Sequence, residues 1–268
     1  SYERLKKQEG IPTVPKERRI RPIHIWQSAA AILFLLLASS VYLSTVGTKA
    51  ETDLLQQYIP IAEMRSLTLP DGTKVQLNSK STLLYPQEFT GDSRSVFLLG
   101  EANFKVKPDK KRPFIVKSND LQITALGTEF NVSAYPESQE IATTLISGSI
   151  RVDYNNLTTS VILHPNEQFA YNRNNKKYDL SNPDMDDVTA WQRGELVLQK
   201  MTLTDIINVL ERKYPYAFVY SIKNLKNDRF SFRFKDNAPL EEVMEIIVNV
   251  VGQMDYRIVE DKCYLTRI

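Results

Sequence analysis

Hydrophobic and polar positions change rhythm three times along this chain. From Ile23 to Val46 the run IHIWQSAAAILFLLLASSVYLSTV carries no charge, and its centre is apolar on every side. A helix of that length reaches roughly 36 Å, enough to cross a hydrocarbon core of about 30 Å with some tilt. Trp26 and Tyr42 fall near its two ends, where amphipathic rings anchor at membrane interfaces. A core helix of this length would show a polar stripe. A cleaved signal peptide, with Ala38-Ser39-Ser40 as its cleavage site, is the competing reading of the same stretch. Residues Ala50 to Ile61 are expected to prolong the helix until Pro60 stops it.

From Arg65 the period drops to two. SLTL and KVQLN flank Pro70-Asp71-Gly72, a turn between two strands. The runs SVFLL, FKV, PFIVKS, LQITAL, EFNVSAY, IATTLISG, SIRVDY, SVILHP and QFAYNR follow at spacings of about 8 to 12 residues. No amphipathic helix interrupts them, so the pattern predicts an all-β unit. Sandwich, jelly roll and short solenoid all remain open, because strand order is not written in the alternation. After Asn182-Pro183 the helical period appears. Leu196 to Leu198 reads as a strand, and Thr202 to Asp205 as a capping box ahead of Leu203, Ile206, Ile207 and Leu210. Tyr216 to Tyr220 and Phe230 to Phe234 read as strands. Asn237 is the expected cap of a second helix through Leu240, Val243, Met244, Ile247 and Val251, with Pro239 in its first turn. Tyr256 to Val259 and Cys263 to Ile268 close the chain as a hairpin. LTDIINVL and LEEVMEII recur at an offset of 37 residues, which predicts a small α+β domain of two βαβ-like halves whose helices cover one sheet face.

The predicted organisation is therefore a basic tail (1–22), a single transmembrane helix (23–46) and a juxtamembrane linker (47–64). An all-β domain (65–180), a second linker (181–193) and the α+β domain (194–268) follow.

Charge orients the span. Seven basic and three acidic residues precede it, and of the chain's 34 basic and 32 acidic residues, 27 and 29 lie beyond it. The basic flank places the amino terminus in the cytoplasm and the larger part outside it. That larger part is near neutral, which argues against nucleic acid as a partner. The chain starts at Ser1, which suggests a longer protein trimmed at this end. A lone Cys263 offers no intramolecular disulfide.

Catalytic constellations are scarce. His24 and His164 stand in no metal spacing, and there is no GxSxG, Walker or GxGxxG pattern. Asp184, Asp186 and Asp187 read as a solvated acidic linker. Phe230, Phe232 and Phe234 alternate on one strand and read as core. No metal or cofactor is expected, and enzymatic turnover is the least supported class.

The runs LPDGTKVQLNSKSTLLYP, RSVFLLGEANFKV, KRPFIVKS, LGTEFNVSAY, TTLISGSIRV and LHPNEQFAY, in that order, resemble the periplasmic domain of FecR-type anti-sigma factors. Asp71, Gly72, Gly100 and Gly148 lie in those motifs. Trp191, Gly194 and the repeat after them are similar to the carboxy-terminal domain of such proteins from Bacteroidota. That domain is itself similar to the short signalling domain of secretins and TonB-dependent transporters. Pro165-Asn166-Glu167-Gln168 departs from the family's Pro-Gly-Glu-Gln. The resemblance implies an inner-membrane regulator that binds an extracytoplasmic-function sigma factor through its cytoplasmic part. Its periplasmic part would bind the signalling domain of a TonB-dependent outer-membrane transporter, with membrane proteases as further partners. The tail before the span is shorter than the family's sigma-binding region. Some relatives break a Gly-Thr bond in their own backbone by an N-to-O acyl shift; Gly127 and Thr128 are the counterpart here, and a tight turn is the favoured reading of that pair. A cell-envelope binding or scaffolding protein with a β-rich domain is the alternative function.

Overall fold

The computed structural model describes residues 22–47, 53–221, 228–235 and 238–267; the tail 1–21 and the expected cap Asn237 lie outside the described residues. Two units form, residues 1–51 and 52–268. In the first, α1 runs Pro22–Gly47 and contains the whole expected span. Its side chains are described at Gln27 and over residues 30–42, and the Trp26 side chain lies outside that set. Leu33, Phe34, Leu35, Leu36 and Leu37, successive positions that go round the helix, are all at least 60% exposed. Among the described residues no helix is long and apolar enough to cross a membrane.

The expected helical extension does not occur. Leu54–Tyr58 form strand β1, paired antiparallel with β4, Thr82–Pro86. Ile59, directly after it, is fully buried in the β core. Burial of Ile59 and a five-residue ladder outweigh the helical preference of the neighbouring sequence, so the β domain begins within the expected linker.

A further eleven strands complete this domain: β2 Arg65–Thr68, β3 Lys74–Leu77, β5 Arg94–Lys105, β6 Phe114–Lys117, β7 Gln122–Ala125, β8 Glu129–Ala134, β9 Glu140–Ser147, β10 Ile150–Tyr154, β11 Thr159–Leu163, β12 Gln168–Asn172 and β13 Tyr178–Ser181. SVFLL and FKV, separate in the sequence pattern, are one twelve-residue strand, β5. Its first half pairs with β4 and β6, and its second half with β3 and β8. Thirteen strands thus make one sheet bent back on itself along β5. The result is a half-barrel of one continuous sheet, with β5 shared by its two arms. Val96 and Leu98 from one half, Phe104 from the other, and Phe114, Phe130, Ile150 and Phe169 fill a single core.

The bend falls at Gly100, φ +106°. Straight, β5 would span about 40 Å and its ends could not meet. Bent, it brings Lys107 back to Arg94, and the chain joins the parallel strands β5 and β6 through only the short segment between Lys105 and Phe114. Three glycines serve close approaches that a Cβ would block. A Cβ on Gly100 would lie 2.6 Å from Ser81 Cα, on Gly127 2.9 Å from Pro108 Cα, and on Gly148 2.6 Å from Thr128 Cγ2. Asn166 takes φ +69°, so the asparagine that departs from the family's glycine keeps the left-handed turn.

The second linker is also ordered. Asp184 caps α2, Met185–Thr189, by accepting from Asp186 N–H, and a 3-10 turn Ala190–Arg193 follows, closed by Gly194 at φ +77°. Asp184 and Asp186 are exposed, as a solvated acidic run implies, and Asp186 and Asp187 also pair at the surface with Arg193 and Arg233, which reach Glu195 as well.

The α+β domain comprises β14 Leu196–Thr202, α3 Leu203–Lys213, β15 Ala217–Val219, β16 Arg229–Phe234, α4 Leu240–Val251, β17 Met254–Val259 and β18 Lys262–Arg267. Thr202 accepts from Asp205 N–H, as the capping box requires. The cap position of α4 is Pro239. The two halves do not share one sheet. Their opening strands pair with each other as β14–β16, and β15 joins the closing hairpin in parallel as β15–β18–β17. Both helices pack between these small sheets, around Leu198, Ile206, Leu210, Phe234, Val243, Ile247 and Cys263. Phe230, Phe232 and Phe234 stack at 6.3 and 6.0 Å along β16 and serve that core. Burial pushes the Cys263 thiol up to about 11, so it stays protonated and inert.

Candidate functional site

The motif residues gather at two places in residues 52–268. The first is the turn between β2 and β3. Asp71 Oδ1 accepts the Thr73 N–H at 2.9 Å, and its Oδ2 accepts the Thr73 hydroxyl and Arg94 Nη1, both at 2.7 Å. Gly72 supplies φ +87° there. Arg94 is 1% exposed; it also donates to the Arg112 carbonyl at 2.9 Å and the Lys107 carbonyl at 2.8 Å, and its guanidinium lies over the Phe114 ring. Arg94 therefore pins the returning β5–β6 segment. This cluster is architectural.

The second place is the seam between the β domain and the α+β domain. Glu101, one residue past the bend, accepts from Asn78 Nδ2 at 2.8 Å and Asn131 Nδ2 at 2.9 Å. The Asn131 side-chain oxygen accepts the Trp191 indole N–H at 3.3 Å, which ties the 3-10 turn to the β domain. Beside it Tyr135, 2% exposed, donates its hydroxyl to the Ser79 carbonyl at 2.9 Å. Arg212, in the last turn of α3, stacks 3.9 Å over the Tyr135 ring and bonds Glu137 at 2.8 Å. Its carbonyl accepts the Ala62 N–H at 3.0 Å, and the residue is 8% exposed. Lys213 donates to the Gly194 carbonyl. The seam thus holds one cation stacked on an aromatic face, two carboxylates, Glu101 and Glu137, and two amides fixed in orientation.

Burial raises the Glu101 pKa, opposed by the two amides and by the charge of Arg212. A carboxylate whose folded value exceeds its ordinary 4.5 favours folding most below that value, and the benefit is lost as pH rises through the folded value. Glutamine cannot substitute, because Asn78 and Asn131 both donate and an amide presents only one oxygen. Glu101→Gln is expected to destabilise the domain by about 1 to 3 kcal/mol near neutral pH. The loss should grow as pH falls toward 4, where the wild-type carboxyl group contributes most and the non-titrating amide gains nothing, measured by denaturant unfolding at several pH values.

Gly127 and Thr128 open β8. Thr128 is 6% exposed, and its Oγ1 is buried with no hydrogen-bond partner. Its methyl group fills the space beside Gly148. Thr128→Ala is expected to leave the fragment pattern of membrane preparations unchanged on an immunoblot; loss of a band present in wild type would reverse this. Among the described residues no group of His, Cys, Asp or Glu is placed to hold a metal ion.

Of the residues singled out as motif turns, Asp71, Gly72, Gly100, Trp191 and Gly194 lie in the turn, the bend or the seam, and Gly148 lies between β9 and β10 against Thr128. Sequence reasoning missed Asn78, Glu101, Asn131, Tyr135 and Arg212 as a group. Four of them sit inside the motif stretches, which was their one signal. Arg212 lies off the apolar stripe of α3 and had none.

Residues 59–151 match the family described as FecR protein, and residues 195–265 match FecR, C-terminal. Two crystal structures of a protein from Parabacteroides distasonis ATCC 8503, described as a "putative anti-sigma factor", are similar at 34% identity. The structure at 1.65 Å resolution has a TM-score of 0.75 and covers 80% of this chain and 99% of its own. The one at 2.50 Å has a TM-score of 0.76 and covers 81% and 100%. No curated protein matches the chain.

Proposed function

The chain belongs to the FecR protein family, and from that premise we propose that it is a single-pass membrane anti-sigma regulator of transcription. Residues 23–46 cross the bacterial inner membrane, with the amino terminus in the cytoplasm and both folded domains in the periplasm. The uncharged sequence of residues 23–46, apolar across its centre, and the basic flank support that placement. The cytoplasmic part acts on an extracytoplasmic-function sigma factor. The α+β domain, 194–268, receives the signalling domain of a TonB-dependent outer-membrane transporter, whose unpaired strand adds to an edge of its small sheets.

The observation that carries this reading is the seam. A receiving domain must be mechanically joined to the body that leads to the membrane, and Arg212 and Trp191 make that joint from the α+β side. Its bonds are few and polar, so a partner that competes for α3 can loosen it at modest cost.

Two measurements test the proposal. Deletion of residues 194–268 should abolish capture of the transporter's signalling domain in a pull-down; unchanged capture rejects the assignment of that domain. Arg212→Ala should uncouple transporter signal from a sigma-dependent reporter while the protein stays in the membrane at wild-type level. A reporter that still responds fully would reject the seam as the relay.

A further inference from the structure

Four strands border the bent sheet, and they are protected unequally. β2 carries Arg65 and β13 carries Asp179, charges that discourage pairing with another chain. β1, Leu-Leu-Gln-Gln-Tyr, has no charge, no proline and no bulge, and among the described residues it pairs with β4 alone. Leu54 and Tyr58 are 61% and 51% exposed on it.

The register tells which backbone groups face outward. Ile59 N–H donates to the Ser81 carbonyl at 2.9 Å, and the β1–β4 register places these two residues opposite each other. Alternate residues of an antiparallel strand bond to the same neighbour. Ile59, Gln57 and Leu55 therefore turn their peptide groups toward β4, and Leu54, Gln56 and Tyr58 turn theirs away from the domain. Of these outward groups, the Tyr58 carbonyl accepts the Gln57 side-chain amide at 3.3 Å.

We infer that β1 is a homodimer edge: Leu54–Tyr58 pairs antiparallel with the same strand of a second copy, about a two-fold axis at Gln56. The strand is self-complementary in that register. Gln56 meets Gln56 of the second copy, an amide pair that donates and accepts in both directions. Leu54 meets Tyr58, two apolar side chains on the same face, and no like charges oppose. The ladder would hold about six backbone hydrogen bonds and close as an isologous dimer. A second copy suits this edge better than an unrelated strand because every position finds its match within the same five residues. An interface this small is weak in dilute solution, and tethering in the plane of a membrane, as proposed above, raises its effective concentration.

Antiparallel pairing about Gln56 puts Leu55 of one copy opposite Gln57 of the other, at a non-hydrogen-bonded site with close side chains. Full-length Leu55→Cys and Gln57→Cys variants, carrying different tags, are mixed in detergent and then in vesicles and oxidised mildly. Cys263 is fully buried and does not compete. The mixture should give a disulfide-linked heterodimer, and each variant alone should give little. Adding Gln56→Pro to both removes an outward N–H and leaves β4 pairing intact. It should cut the yield about tenfold or more, as loss of two hydrogen bonds implies, with the melting temperature unchanged. Equal linking in all combinations, no linking in vesicles, or indifference to Gln56→Pro would overturn the dimer. So would preferential linking of a β1 cysteine to Val161→Cys on β11, the other uncharged edge, since that joins copies head to tail. If the chain is not in a membrane, the detergent arm still reads the edge, so failure of the membrane reading is separable.

Discussion

Asp71→Ala is expected to destabilise the β domain by about 3 to 5 kcal/mol, the range for breaking a buried ion pair from one side. Arg94 is 1% exposed and the Asp71 side chain 4%, so water does not replace the lost carboxylate. Nη2 of Arg94 is already buried without a hydrogen-bond partner, and the mutation strips the charged acceptor from Nη1 as well. The Thr73 N–H and hydroxyl lose their acceptor in the same step. Because the pair joins the β2–β3 turn to the start of β5, the damage should spread along both. Hydrogen exchange at β3, β5 and β6 amides should rise together, whereas α3 and α4 keep their protection. Arg94→Met placed on Asp71→Ala should recover part of the loss, since a buried cation without a partner costs more than an apolar side chain in its place. Loss confined to the turn, or no recovery in the double variant, would show that the ion pair is not what holds the crossover.

Gly100→Val should cost a comparable amount, roughly 3 to 5 kcal/mol, from two sources. A β-branched residue at φ +106° is strained by about 1 to 3 kcal/mol, and overpacking adds about 1 to 3 more. The clash is with Ser81 Cα at 2.6 Å, backbone that cannot rotate away. Ser81 Oγ in turn accepts the Glu101 N–H at 2.8 Å and donates to the Glu101 carbonyl at 3.1 Å. Moving Ser81 therefore disturbs the carboxylate at the seam. The variant should unfold at lower denaturant and also quench differently at Trp191, whose indole bonds Asn131 next to Glu101. Gly91→Val, where a Cβ meets nothing within 4 Å, is the control and should change stability by less than about 0.5 kcal/mol. Equal effects at the two glycines would remove the bend from the account.

Local signals were readable wherever the physics is local. Alternation gave β2, β3 and β5 to β12 their places, though it split β5 in two and missed β4, and the capping residue Thr202 and the stripe Leu203, Ile206, Ile207, Leu210 announced α3. The turn at Asp71 and Gly72 was visible for the same reason: it depends on residues next to each other. Where the reading failed, a distant partner had decided. Leu54–Tyr58 looked like the tail of a helix and is a strand, because β4 offers it a ladder. The exposed Asp186 and its neighbour Asp187 gain ion pairs that their own stretch did not announce, because Arg233 arrives from β16.

The sequence alone established that this chain has one long apolar helix, a β-rich body and a repeated α+β end, since hydrophobic period and capping act over a few residues. Only the tertiary structure decided that β5 folds over at Gly100, that Asp71 meets Arg94, and that Arg212 stacks on Tyr135. Those contacts join residues that sequence order keeps apart, and which of many possible partners is met depends on the closed path of the whole chain, not on any window of it.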